Sequence, residues 1–369
     1  MSSPGALRRI ASLDGLRAFA IACAVWHHAL MTFETDGAWF KVIETITPTG
    51  DFGVQIFFVL SGFLITSLLL KEREKTGKIS LKDFYRRRAY RIFPALYVFI
   101  AIVTVLTLTN AIDLQAYVIA AAAFFVRDYV PTGGSWWLGH TWSLAIEEQF
   151  YLLWPLVLIL VPRRLMLRVL FGAIVCVVGM RTATWLFVPQ LREGIMIMFH
   201  TRSDALMIGA MLAVVSRRED FQAFADRVLG RGLGWVALAW FPITWIGQHA
   251  FGQVWRYNVG YLVDALAIAV VMTWAIKRPR GLGGRVLNWG PICHIGAISY
   301  SLYLYQQLFL APLNTTILGT PGLNVLFALL AAEASFHLVE RPFLRLRDRK
   351  KRAKALTPDG PFDQSPAKA

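Results

Sequence analysis

Residues 52–70 read FGVQIFFVLSGFLITSLLL and contain no charged side chain. An apolar run of about 20 residues is long enough to cross the ~30 Å hydrocarbon core of a bilayer as an α-helix. The whole chain has the same character, because 56% of its 369 residues are hydrophobic, 17% are charged and its mean hydropathy is +0.50. Soluble globular chains carry about 25% charged residues. The composition therefore predicts a membrane protein and excludes a disordered chain, a fibrous chain and a disulfide scaffold.

Further apolar runs of similar length predict an all-α, polytopic bundle of about ten membrane-spanning helices. The predicted spans are residues 13–33, 52–70, 92–109, 142–161, 167–188, 195–215, 233–248, 257–276, 289–312 and 320–339. Tyr117–Val126 is too short to span and is predicted to be a re-entrant or interfacial helix. The predicted domains are a transmembrane domain over residues 1–340 and a basic, disordered cytoplasmic tail over 341–369.

The basic residues predict which side of the membrane each loop occupies, because short loops rich in Lys and Arg stay cytoplasmic. Residues 71–91 follow the second span and are strongly basic. If Tyr117–Val126 does not cross, the later basic loops and the tail fall on the same side, which places both termini in the cytoplasm. The net charge of +15 is then mainly topological, and no nucleic acid partner is expected.

Ionisable residues inside a span are candidates for function, because each costs about 2.5–3.5 kcal/mol on insertion scales. Arg17 and His28 are 11 residues apart, close to three helical turns, so they share one face of the first span at a separation of about 16 Å. Asp14 precedes Arg17 by three residues and is placed to pair with it. The alternative is that Arg17 extends to the interface with Asp14 and that His28 is an interfacial histidine.

A cluster of arginines lies at the cytoplasmic start of the third span, in Tyr85–Pro94. Arg87 and Arg91 are four residues apart and Arg88 is beside them, so the cluster is suited to grip a polyanion such as phosphate. A purely topological signal is the alternative, although it does not explain why the cluster is arginine and adjoins the helix.

Two adjacent carboxylates, Glu147 and Glu148, lie in the first two turns of the span that begins near Trp142. Ser143 and Tyr151 are placed four residues on either side of Glu147. In the ten-span topology this segment starts from the side toward which His28 points, and a base oriented by an acid needs both groups at similar depth. A structural ion pair is the alternative, with Arg202 and Asp204 as further partners.

Phosphate-loop, dinucleotide-binding, zinc-protease and serine-hydrolase motifs do not occur in the sequence, and nothing in it suggests a metal site. An ordered series of polar motifs does occur. The motifs are Leu13-Asp-Gly-Leu-Arg17-Ala, His28, Phe57-Phe-Val-Leu-Ser-Gly-Phe63, Arg87-Arg-x-x-Arg91-Ile-x-Pro94, Trp142-Ser-Leu-x-x-Glu147-Glu-x-Phe-Tyr151, Arg202-x-Asp204 with Gly209, Ser299-Tyr-Ser-Leu-Tyr303-Leu and Glu340-Arg-Pro342. In this order, over nearly the whole chain, they resemble the acyltransferase-3 family of membrane acyltransferases.

The resemblance implies an enzyme of the cytoplasmic membrane that transfers an acyl group, most often acetyl, from cytoplasmic acyl-coenzyme A to a hydroxyl of a cell-surface or lipid-linked carbohydrate. Acyl-coenzyme A is then a co-substrate, with no tightly bound cofactor, and the other partners are the glycan acceptor and membrane lipids. Carried onto this chain, the family's catalytic residues fall on His28, Arg17 and Glu147. The family's cytoplasmic Arg-Arg-x-x-Arg motif falls on Arg87, Arg88 and Arg91, and the neighbouring Arg86 is expected to help hold the donor. The candidate substrate-binding residues are Glu148, Tyr151, Arg202, Asp204 and Tyr303.

The chain departs from the family's pattern in two ways. Many members carry a histidine where this chain has Gln306, and some carry a fused C-terminal esterase-like domain that is not expected here. Two other functions stay open from the sequence: O-acylation of a macrolide or lipid, and a proton-coupled transporter, since buried Arg, His and Glu suit a carrier as well.

Overall fold

The computed structural model describes residues 10–33, 37, 43, 49–130, 136–312 and 316–356, and in these ranges the chain is helical with no β-strand. The α-helices used below are α1 Ala11–Leu30, α2 Gly50–Thr76, α3 Leu81–Leu108, α4 Ala116–Ala123, α5 Thr141–Leu160, α6 Met166–Phe187, α7 Phe199–Arg202, α8 Asp204–Val215, α9 Glu219–Gly230, α10 Leu233–Trp255, α11 Tyr261–Lys277, α12 Leu282–Leu287, α13 Gly290–Phe309, α14 Leu323–Ser335 and α15 Arg341–Leu356. Short 3₁₀ turns lie at Arg127–Tyr129, Pro189–Met196 and Ile317–Gly319, and π-helical turns at Arg256–Gly260 and Phe336–Glu340.

Within the described ranges, six helical stretches are long and apolar enough to cross a membrane, as expected of an integral membrane protein. One of them, Leu233–Lys277, runs for 45 residues, or about 68 Å at 1.5 Å per residue, roughly twice a bilayer core. It folds back on itself: the backbone leaves the helical region at Gly252 (φ 60°), and the rings of Trp235 and Trp274 near its two ends are 4.9 Å apart. The stretch is therefore a hairpin of α10 and α11.

Each of the ten apolar segments falls largely on helix. The number of crossings and the cytoplasmic position of the termini stay predictions. The segment expected to be too short to span contains α4, an eight-residue helix about 12 Å long.

Glycines set the spacing of the central helices, because lipid offers no hydrophobic driving force and close backbone approach is what holds such helices together. A Cβ on Gly62 of α2 would lie 1.9 Å from the carbonyl oxygen of Leu206 in α8, and one on Gly209 of α8 would lie 2.0 Å from that of Val59 in α2. A Cβ on Gly296 of α13 would lie 1.9 Å from the carbonyl oxygen of Asp14 in α1. The packing role predicted for the glycines of the second span is confirmed for Gly62.

A tight turn joins α2 to α3 and orients the basic segment. Gly77 ends α2 in the left-handed conformation at φ 75°, where a side chain would be strained. Ser80 caps α3 by accepting a hydrogen bond from the Asp83 N–H at 3.3 Å, and its own N–H donates to Glu72 Oε1 at 2.9 Å. The start of α3, with its arginines, is thus fixed against the end of α2.

The chain beyond α14 differs from the expected disordered tail over residues 341–356, which form α15 as a continuation of the helix through the π-helical turn. The reason lies in composition: Arg, Lys, Leu and Ala all favour helix. Residues 357–369 lie outside the described ranges. Glu340, just before α15, is buried and accepts a hydrogen bond from Ser301 Oγ of α13.

Candidate active site

A cavity of about 100 Å³ lies inside the bundle, among α1, α2, α3, α5 and α13. Its polar lining brings together residues from motifs that are far apart in the sequence. The polar residues that line it are Arg17, Ser61, Arg88, Arg91, Ser143, Glu147, Tyr151, Ser299, Tyr300 and Tyr303. Six of these were predicted as site residues: Arg17, Arg88, Arg91, Glu147, Tyr151 and Tyr303. With three arginines against one glutamate, the lining carries a surplus of positive charge.

Arg17 pairs with Asp14 as its spacing predicts. Arg17 Nη1 donates to Asp14 Oδ1 at 3.1 Å, and the side chain of Asp14 is 7% exposed. The close contact between α1 and Gly296 of α13 involves the backbone of the same Asp14. The arginine is therefore held at a fixed place in the cavity wall instead of extending freely to the interface.

The arginine cluster of α3 divides into two pairs. Arg86 is tied to Asp83 at 2.8 Å, and Arg87 is tied to Glu72 at 2.6 Å across the α2–α3 turn. Arg88 and Arg91 line the cavity, and neither guanidinium has a hydrogen bond or ion pair among the described residues. Arg87 thus pairs with Glu72 and does not line the cavity, whereas Arg88 lines it beside Arg91. The role of Arg87 in donor binding stays a prediction.

Arg88 is half-buried and is held by aromatic rings. Its guanidinium carbon lies 5.2 Å from the ring centre of Tyr151 and 5.9 Å from that of Phe84. Glu148 is close enough to act on Arg88 electrostatically, and its Oε1 is buried without a hydrogen bond to any described residue. The two carboxylates of α5 therefore both face the arginine side of the site.

Glu147 is bound by two hydroxyls. Ser61 Oγ donates to Glu147 Oε1 at 2.8 Å and the Tyr151 hydroxyl donates to Oε2 at 3.2 Å. The contact with Tyr151, four residues on, was predicted. The contact with Ser61 was not, since that residue was interpreted as a packing position.

The structure does not bring Glu147 to His28. In the described part of the chain the hydrogen-bond partners of Glu147 are Ser61 and Tyr151. The physical reason is depth: Glu147 lies seven residues, or about 10 Å, along from His140 at the start of α5, and it is His140 that stands at the level of His28.

His28 lies near the C-terminal end of α1, where its ring contacts the ring of Trp136. The rings of His28 and Trp136 are 5.0 Å apart, edge to face. Trp136 is fixed by two reciprocal hydrogen bonds, since its Nε1 donates to the Gln307 carbonyl at 2.8 Å and Gln307 Nε2 donates to the Trp136 carbonyl at 2.7 Å. Gln306 lies beside His28, at the position where a histidine is frequent in the family it resembles.

Tyr303 connects the cavity to the histidines. Its hydroxyl donates to the His140 carbonyl at 2.9 Å and is 2.6 Å from Ser143 Oγ, while its ring is 5.1 Å from that of His140. Sequence reasoning missed His140. The available signal was its position directly before the Trp142 motif, in a chain with seven histidines.

Arg202 and Asp204 belong to a separate buried cluster. Asp204 pairs with Arg181 at 2.9 Å, both fully buried, and Arg202 lies 3.5 Å from the ring centre of Tyr261. Neither lines the cavity that contains Glu147. The expectation that they would partner His28 or Glu147 is not met, because each has a nearer partner on α6 or α11.

A helical bundle with spans long and apolar enough to cross a membrane and a basic polar cavity in its interior defines an integral membrane protein with a polar internal site. Over residues 10–335 the chain matches the family described as "Acyltransferase domain". It belongs to that family, and the resemblance found in its motifs is confirmed.

Its curated relatives are similar in sequence over most of this chain. It is 30% identical to the O-acetyltransferase OatA of Staphylococcus aureus, over 91% of this chain and 57% of the relative. It is 30% identical to the peptidoglycan O-acetyltransferase OatA of Listeria monocytogenes, over 90% of this chain and 54% of the relative. The chain thus spans a little over half the length of these relatives. The comparison with solved structures found no match.

Proposed function

We propose that this protein is an O-acetyltransferase of the cytoplasmic membrane that transfers an acetyl group from cytoplasmic acetyl-coenzyme A to a hydroxyl of a cell-envelope carbohydrate. The observation that carries the proposal is the cavity in which Arg17, Arg88 and Arg91 converge with Glu147, in a chain of an acyltransferase family. Peptidoglycan is the acceptor that the relatives' names favour.

The donor would bind at the arginine end of the site, where Arg88 and Arg91 line the cavity. Coenzyme A is a polyanion, and guanidiniums bind phosphate oxygens through paired, charge-assisted hydrogen bonds. Arg88 and Arg91 form no hydrogen bond or ion pair with an acidic side chain among the described residues, so their N–H groups are available for this contact without breaking an existing ion pair. The uncharged pantetheine arm would then extend past Arg17 and Tyr303 toward His28.

Transfer would take place at His28. The imidazole accepts the proton of the acceptor hydroxyl while the oxygen attacks the thioester carbonyl carbon, giving a tetrahedral intermediate. As the C–S bond breaks, the proton passes from the imidazolium to the leaving thiolate, so that the products are the ester and coenzyme A. General base catalysis of this kind contributes about 10² to 10⁴ in rate.

The proposal is tested with the purified full chain in lipid nanodiscs, [¹⁴C]acetyl-coenzyme A and soluble glycan fragments of peptidoglycan. We expect label in the glycan as an alkali-labile ester, and none with the His28→Ala variant. Uptake of labelled glycan by sealed liposomes without acetyl-coenzyme A would instead indicate a transporter. Label in lipid and none in glycan would overturn the carbohydrate acceptor.

A further inference from the structure

The end of the bundle around His28 contains buried polar atoms without a hydrogen bond of ordinary geometry to a described residue, although Gln306 interacts with the His28 side chain. They are His28 Nδ1, both ring nitrogens of His140, and both terminal atoms of the Gln306 carboxamide. His140 is 5% exposed and Gln306 is fully buried. An unsatisfied buried donor or acceptor destabilises the folded state, and the large majority of buried side-chain polar atoms in proteins have a partner. Several of them around one imidazole indicate a site for a ligand rich in hydrogen-bonding oxygens.

The side chain of His140 is fixed by packing, not by hydrogen bonds of its nitrogens. Its ring lies 5.1 Å from that of Tyr303 and 5.5 Å from that of Phe99, edge to face in both cases. Its carbonyl oxygen accepts the Tyr303 hydroxyl, which anchors the backbone as well. The two ring nitrogens are therefore held in place and left open, an arrangement that costs stability and that a purely structural residue does not need.

The charge around the histidines indicates which chemistry the site suits. In the described part of the chain, neither His28 nor His140 donates a hydrogen bond to a carboxylate or forms an ion pair with one. The charged group close to His140 is Arg127, which is fully buried. A site with amide and imidazole donors, a cation nearby and no carboxylate favours a group that becomes negative during reaction.

We propose that His140 and Gln306 complete the reaction site around His28. Gln306 Nε2 donates a hydrogen bond to the thioester carbonyl oxygen, and this bond strengthens as that oxygen becomes an oxyanion in the tetrahedral intermediate. His140 is a positioning residue: it accepts a hydrogen bond from the His28 imidazolium that forms when the acceptor hydroxyl loses its proton. The inference rests on the proposed acetyl transfer and assigns to His140 the role that the sequence suggested for Glu147.

His140→Phe and His140→Gln distinguish the role of the His140 nitrogens from the packing role of its ring. The first keeps an aromatic ring against Phe99 and Tyr303 and removes both nitrogens, while the second keeps a donor and an acceptor. We expect His140→Phe to lower kcat on the order of tenfold to 100-fold, a part of the about 10² to 10⁴ that a base contributes, with KM for acetyl-coenzyme A unchanged. His140→Gln should recover much of the loss. A His140→Phe variant with wild-type kcat would overturn the role of His140.

Gln306→Leu tests the oxyanion contact by a similar substitution. Removing one such donor costs about 10² to 10³ in kcat, so Gln306→Leu should lose about that factor and Gln306→Asn less. Equal kcat in wild type and Gln306→Leu would reject the contact, and the same measurement decides the proposal if His140→Phe fails to fold. His249→Phe is the matched control, because His249 is exposed and bonds within its own helix.

The assay distinguishes this inference from the proposed function. Wild-type protein that transfers no acetyl group contradicts the proposed function itself. Normal wild-type transfer, loss in His28→Ala and unchanged rates in both His140→Phe and Gln306→Leu contradict only the present inference.

Discussion

The arginine end of the site, around Arg17, Arg88 and Arg91, and the histidine end, around His28 and His140, differ in how their buried polar groups are paired. At the arginine end some charges are matched, since Arg17 pairs with Asp14 and Glu147 accepts hydrogen bonds from hydroxyls. Arg88 and Arg91 form no ion pair among the described residues. At the histidine end, His28 Nδ1, both ring nitrogens of His140 and the Gln306 carboxamide have no hydrogen-bond partner among the described residues. Unpaired guanidiniums in a wall fixed by matched charges are suited to binding an anion without large rearrangement, whereas uncharged donors and acceptors are suited to changes in bonding during reaction.

The largest expected effect separates the two ends directly. His28→Ala should lower kcat by a factor of about 10² to 10⁴, because the general base is lost, and leave the affinity for acetyl-coenzyme A within about threefold, since no arginine is touched. Single-turnover rates and equilibrium binding of labelled donor in nanodiscs give the two numbers. Weakened donor binding equal to the rate loss would contradict the separation of the ends.

The complementary change removes the open guanidiniums. Arg88→Gln combined with Arg91→Gln should raise KM for acetyl-coenzyme A about tenfold or more, since a hydrogen bond to a charged group contributes about 1.5–3 kcal/mol. At saturating donor, kcat should stay near the wild-type value. An unchanged KM in the double variant would show that the phosphates bind elsewhere.

Substitutions of Glu147 show whether its carboxylate acts with the arginines in donor binding or with His28 in catalysis. The hydroxyls of Ser61 and Tyr151 are 2.7 Å apart, so Glu147→Leu leaves one of them without an acceptor. We therefore expect the free energy of unfolding to fall by about 1–3 kcal/mol and KM for the donor to change. Glu147→Gln keeps an acceptor and should be milder. Tryptophan fluorescence during thermal unfolding in detergent measures the first effect. If Glu147→Gln lowered kcat as strongly as His28→Ala with KM unaffected, Glu147 would belong with His28.

The smallest expected effect is at the arginine that faces away from the cavity. Arg87→Gln breaks a partly exposed ion pair with Glu72, and such pairs contribute about 0–1 kcal/mol. KM for acetyl-coenzyme A should therefore change less than about threefold. If KM for acetyl-coenzyme A rose as much as in the Arg88 and Arg91 double variant, Arg87 would have to contact the donor directly.

The fold could be predicted from the sequence to the extent that it depends on local pattern. Apolar length gave helices over the ten segments, and the i, i−3 spacing gave the Arg17 pair with Asp14. Prediction failed where a partner distant in the sequence determines how a side chain is paired. Arg87 forms an ion pair with Glu72, and Asp204 forms one with Arg181. Helices α1 and α5 run in opposite directions, so that His140 lies near His28 and Glu147 lies near Arg88. Helical phase does not contain this information.

The glycine contacts of α1 have a consequence for donor selection. Arg17 and His28 are on one uninterrupted helix whose position is set where its backbone meets Gly53 of α2 and Gly296 of α13. The distance between the two residues is therefore a property of helix geometry, about 16 Å, and does not depend on a loop that adjusts. Helix α1 acts as a molecular ruler, against which a donor with a shorter or longer arm would present its thioester at the wrong height.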